Sequence, residues 1–189
     1  ETLYIQTMES LRFDFFPKTL RCLHLGLRVP FVSLRWIDWS RFLPETLVEL
    51  VLITHLPIPY GDSWLESIPK SLETLRLAEF RATVKPIPGI GEEYCGFSQK
   101  CISLIPNTIT DLGISLACTL DGTAFFKSLP PSLTKLNFHA QSYSNVTTDS
   151  FSQLPPKLTS LSASNWSKTA SRAALERDVA KTYGVHLNP

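Results

Sequence analysis

Apolar residues in this chain recur at spacings of three and then two, with polar residues between them. Leu20, Leu23 and Leu25 set the pattern. It returns at Leu47, Leu50 and Leu52, at Leu72, Leu75 and Leu77, and at Ile109, Leu112 and Ile114. Two further copies are Leu133, Leu136 and Phe138, then Leu158, Leu161 and Ala163. The last two apolar positions of each copy alternate with polar ones, which predicts a short strand with one face buried. The first residues of the copies are separated by 27, 25, 37, 24 and 25 positions. Self-similarity at such a period predicts a solenoid of stacked coils, each supplying one strand. No coil has enough apolar surface to fold alone, so the leucines of one must bury against those of the next.

A proline precedes every copy by three residues, always behind an apolar residue. The pairs are Phe16-Pro17, Leu43-Pro44, Ile68-Pro69, Ile105-Pro106, Leu129-Pro130 and Leu154-Pro155. Proline fixes φ and holds the residue before it extended, so the return segment enters the strand straight. Its missing N–H suits the end of a ladder better than its middle. Two residues after five of these prolines stands Ser or Thr, expected to bond nearby backbone in the turn. Further upstream, Phe13, Leu65, Ile102, Phe126 and Phe151 lie three residues before the apolar–Pro pair, and Trp39 and Trp64 lie four before it. They are expected to fill the core beneath the convex side.

The frame reaches the first residues of the sequence. Glu1-Thr2-Leu3-Tyr4-Ile5 matches Glu73-Thr74-Leu75-Arg76-Leu77, so the sequence opens inside a repeat. Further repeats or domains are therefore expected upstream. The tail drops the proline frame. Leu175, Val179 and Tyr183 form one helical stripe, Gly184 suits a helix stop, and Val185 and Leu187 alternate as a short strand would. The reading is a solenoid over 1–166, with an insertion at about 79–103, and a capping helix and strand over 167–189.

The L-x-x-L-x-L core resembles that of leucine-rich repeat proteins over nearly the whole chain. The proline-containing form is similar to the LPxxLxxL repeats of some bacterial effectors. It is also similar to the FNIP-type repeats of amoebae, notably in Ile105-Pro106-Asn107-Thr108-Ile109-Thr110-Asp111-Leu112. The resemblance implies an α/β solenoid, curved, with one parallel strand per repeat and an irregular or short-helical convex side. It also implies a binding role for the strand face. One departure is clear. The asparagine that follows the core in such repeats is replaced by Arg28, His55, Phe80, Ala117, Gln141 and Trp166, so no asparagine ladder is expected.

Charge changes the picture little. The net charge is +1 and 19% of residues are charged, which argues against a nucleic-acid footprint or a polybasic membrane surface. No apolar stretch is long enough to span a bilayer. Cys22, Cys95, Cys101 and Cys118 lack zinc-ligand spacing, and free thiols in a cytoplasmic protein are the favoured reading. A bridge between Cys95 and Cys101 is conceivable, and sequons at Asn145 and Asn165 keep a secreted protein open.

Candidate chemistry lies on the outward strand positions. They are Cys22, His24 and Gly26; Glu49, Val51 and Ile53; Thr74, Arg76 and Ala78; Asp111, Gly113 and Ser115; Lys135, Asn137 and His139; and Ser160, Ser162 and Ser164. From these, His24, Glu49, Val51, Ile53, Arg76, Asp111, Lys135, Asn137 and His139 are the expected partner contacts. The insertion adds Glu92, Glu93 and Tyr94. The mixed signs fit a protein partner better than a phosphate polymer. No catalytic, cofactor or metal residues are expected. The four histidines are scattered, and no HExxH, GxSxG or Walker-type sequence exists. Cys22 and His24 share a strand face, but a nucleophile pair would need a third, orienting group. The expected function is a protein-interaction or scaffold module. The alternatives are a structural subunit held in a large assembly by its convex side and tail, and the substrate-recognition domain of a larger enzyme such as a ubiquitin ligase.

Overall fold

The computed structural model describes residues 1–6, 16–27, 40–54, 62–79, 102–144, 148–164 and 186–188. Eight strands form one sheet, in chain order: β1 (Thr2–Gln6), β2 (Cys22–Leu27), β3 (Glu49–Thr54), β4 (Thr74–Glu79), β5 (Asp111–Asp121), β6 (Lys135–Ser144), β7 (Ser160–Ser164) and β8 (His186–Asn188). Each strand pairs in parallel with the next. The architecture is an α/β solenoid of the leucine-rich repeat kind, one strand per coil.

The pairing register is the one that the leucine frame dictates. Leu23, Leu50, Leu75, Leu112, Leu136 and Leu161 pair strand by strand in a single row, and each is 1% exposed or less. A second inner row runs Leu25, Leu52, Leu77, Ile114 and Phe138. A one-residue slip would turn both rows out to water, at about 1.5–3 kcal/mol per side chain. The long 72-to-109 interval leaves the register intact, since Leu75 still faces Leu112. Residues 80–101 of that insertion, including Cys95 and Cys101, lie outside the described residues, as do the expected tail helix and both sequon asparagines.

Backbone bonds show why proline sits where it does. In all six proline-bearing coils the leucine or isoleucine that follows donates its N–H to the proline carbonyl three residues back, at 2.9–3.2 Å. In four coils the apolar residue before the proline closes a similar turn: Leu43 to Ser40, Ile105 to Ile102, Leu129 to Phe126 and Leu154 to Phe151. Two tight turns therefore follow each other, and proline occupies the junction, where neither turn uses an N–H.

The hydroxyl two residues later acts differently from the local bond expected of it. Thr46 Oγ1 donates to Leu20 O at 2.9 Å and to Lys18 O at 2.7 Å, Ser71 Oγ to Leu47 O at 2.7 Å, and Ser132 Oγ to Ile109 O at 2.7 Å. The acceptor lies one coil back. The nearest local carbonyl, that of the proline, already holds the leucine N–H. These side chains thus tie coil to coil. Beside them runs a column of shared carbonyls. Glu1, Arg21, Val48, Glu73, Thr110 and Thr134 each accept two N–H groups from the following coil, at 2.8–3.2 Å.

Among the described residues the return side carries short 3-10 segments at Asp62–Ser67 and Thr148–Gln153 and a helix, α1 (Gly122–Lys127). Leu65, Ile102, Phe126 and Phe151 are buried there, as their spacing predicts. Phe13 and Trp39 lie outside the described residues, and Trp64 lies in the first of these 3-10 segments. The C-terminal coils replace leucine by aromatics. Phe126 packs against Phe125, Phe138 and Phe151 with ring centroids 5.2–5.7 Å apart. Thr123 Oγ1 and Ser150 Oγ, 2.6 Å apart, join α1 to the next 3-10 segment.

β5 and β6 run past the frame and pair again at Thr119–Ser142, Leu120–Tyr143 and Asp121–Ser144. Between Leu116 and Thr119 β5 holds one more residue than β6, a β-bulge. The leucine frame accounts only for the first part of these two strands. The alternation of Leu116, Cys118 and Leu120 was the signal for the longer one.

Candidate functional site: the outer face of the sheet

Three rows of side chains stand on the face away from the core. The first is Thr2, Cys22, Glu49, Thr74, Asp111, Lys135 and Ser160. The second is Tyr4, His24, Val51, Arg76, Gly113, Asn137 and Ser162, and the third includes Gly26, Ile53, Ala78 and Ser115. Where their side chains are described, all are half-buried or exposed. His139 keeps its place in the third row of β6. Glu92, Glu93 and Tyr94 lie outside the described residues. The structure thus brings nine of the twelve expected contacts onto one surface.

Charges on this surface pair along a diagonal. His24 Nε2 of β2 lies 3.3 Å from Glu49 Oε1 of β3. Arg76 Nη2 of β4 donates to Asp111 Oδ2 of β5 at 3.1 Å. In both cases a second-row base reaches the first-row carboxylate of the next coil. The Arg76 side chain is 46% exposed, so solvent screens the pair and it contributes at most about 1 kcal/mol. Gly113 makes room for it: a Cβ there would come within 3.2 Å of Arg76 Cγ. A bare strand position thus lets the arginine lie over its neighbour.

The diagonal stops at Gly113, which has no side chain to offer the next first-row residue, Lys135. Among the described residues Lys135 makes no ion pair. Among the described outward residues both carboxylates are engaged and Lys135 is a free, exposed cation. The sequence reading balanced Glu49 and Asp111 against Arg76 and Lys135 in sum. It missed the pairing, which depends on knowing that rows are offset by one coil.

Polarity is graded across the strands. At the N-terminal end Tyr4 is 70% exposed and packs edge-on to His24, with ring centroids 4.5 Å apart. Val51 and Ile53 follow, and Ile53 is flanked in register by Gly26 and Ala78, so it stands above its neighbours. At the other end are Lys135, Asn137, Ser160 and Ser162. Cys22 is a free, half-buried thiol. Glu49 does supply His24 with the orienting carboxylate that the sequence did not reveal. Among the described residues, however, Cys22 makes no hydrogen bond to His24, so no nucleophile–base pair is formed.

No family model matches the chain, and no curated protein matches it. Solved structures do. One is the leucine-rich repeat-containing protein LegL7 from Legionella pneumophila, which superposes with a TM-score of 0.56 at 16% identity over 95% of this chain. The fold is that of a leucine-rich repeat protein. The chain spans 60% of LegL7, and the likeness at this identity concerns the fold. Among the described residues no helix is long and apolar enough to cross a membrane.

Proposed function

We propose that this chain is a protein-interaction module that binds its partner through the outer face of the sheet. The observation that carries this reading is the alignment of exposed Tyr4, half-buried Val51 and Ile53, and exposed Arg76, Lys135 and Asn137 on one continuous surface. It combines apolar, aromatic and arginine contacts with hydroxyl and amide groups, the composition of a protein-binding patch. The insertion joins this contact through Glu92, Glu93 and Tyr94. The module acts by recognition and not by catalysis. The half-buried free thiol of Cys22 supports a cytoplasmic home. The proline in all six coils, with the Ile105–Leu112 stretch, supports a repeat subtype close to the LPxxLxxL and FNIP forms.

A second reading, a subunit docked by its return side, draws on Phe42, which is 51% exposed there. Capture from an extract of the source cells separates the two. Arg76→Glu with Lys135→Glu is expected to abolish recovery of the partner, while Phe42→Asp leaves it unchanged. The opposite result would establish the second reading.

A further inference from the structure

We infer that the outer face takes an extended, acidic peptide segment of a protein partner, laid across the strands in one direction. An aliphatic side chain rests on Val51 and Ile53, and a carboxylate reaches Lys135. This inference rests on the proposed function and names the chemistry of its partner.

The direction follows from the gradient. An apolar anchor finds contact area at β3, where Ile53 stands between Gly26 and Ala78. At β6 the described outward side chains are Lys135 and Asn137, both exposed and polar. The charge follows from the broken diagonal. Glu49 and Asp111 already face His24 and Arg76, so an incoming cation finds no vacant carboxylate among the described outward residues. Lys135 is vacant; Ser160 stands beside it in register and Asn137 follows two residues along the strand, both able to donate further hydrogen bonds. A carboxylate there replaces the diagonal partner that Gly113 cannot supply.

The spacing follows from the sheet. β3 and β6 are three strand intervals apart. At about 4.8 Å per interval, with the two-residue offset between rows, Val51 and Lys135 are separated by roughly 16 Å. An extended chain covers that in about five residues. Side chains of an extended chain face the sheet at every second position, so the ligand carries its aliphatic side chain four or six positions from its acidic one.

Synthetic Ser/Thr peptides bearing one leucine and one glutamate, two to eight positions apart, test this by NMR titration of the labelled chain. The method detects weak binding. The tightest binding is expected at a separation of four or six, where both side chains face the sheet, with shifted amides confined to β3 through β6. Lys135→Glu is expected to weaken the glutamate peptide by about three- to tenfold and to favour the peptide with lysine in its place. Ile53→Ser weakens both. Thermal melts of each variant check that the fold is kept. Binding independent of separation, tighter binding of lysine peptides to the unaltered chain, or stronger binding of an RNA oligomer would overturn the inference. So would the absence of shifts with any peptide. If partner capture still depended on Arg76 and Lys135, the proposed function would survive those outcomes. Capture indifferent to every outer-face variant would remove that reading itself.

Discussion

One residue breaks the rule that governs its column. Three positions before the apolar–Pro pair the described coils place Leu65, Ile102, Phe126 and Phe151, all buried. The second coil has Ser40 there, 1% exposed, with its Oγ unpaired among the described residues. A buried hydroxyl without a partner forfeits its hydration and gains nothing in return. Ser40→Ala is therefore expected to raise stability by about 1 kcal/mol in urea unfolding. A loss of that size would mean that the hydroxyl has a partner after all. The spine was legible in its spacing because every other coil repeats it. This exception was not, since serine at one position looks like any surface serine until its neighbours close over it.

At the scale of the coil, what the sequence showed and what it hid divide cleanly. Strand placement and register could be read because inner leucines repeat with period two within a coil and return in each copy. Proline's place could also be read, although its reason lies in the two consecutive turns whose junction it occupies. The hydroxyls were misassigned because a lone turn offers only local acceptors, whereas a stacked one offers the coil before. Ser132 Oγ donates to Ile109 O, 23 residues back. Ser132→Ala removes that link and leaves a part-buried carbonyl short of a donor. A destabilisation of about 0.5–1.5 kcal/mol is expected by chemical denaturation. A local bond would have left the coil contact intact and the loss near zero. The outer face was legible as a list of residues and not as an arrangement. Its Arg76–Asp111 pair depends on Arg76 lying against bare Gly113, where a side chain would crowd it.

For the molecule as a whole, the central claim is that neighbouring strand positions belong to opposite worlds: one side a continuous apolar spine, the other a face of half-buried and exposed side chains. Stability in such a stack comes from nearest-neighbour contacts, so a defect in one coil is felt by the coils on either side. β6 offers the sharpest comparison. Leu136 is 1% exposed and pairs with Leu112 and Leu161, while Lys135, the residue before it, is exposed. The decisive measurement is equilibrium denaturation of Leu136→Ala beside Lys135→Ala. The account predicts a loss of about 2–5 kcal/mol for the leucine, through the lost burial and the cavity left in the spine. It predicts a change within about 0.5 kcal/mol for the lysine. Equal losses at the two positions would contradict it.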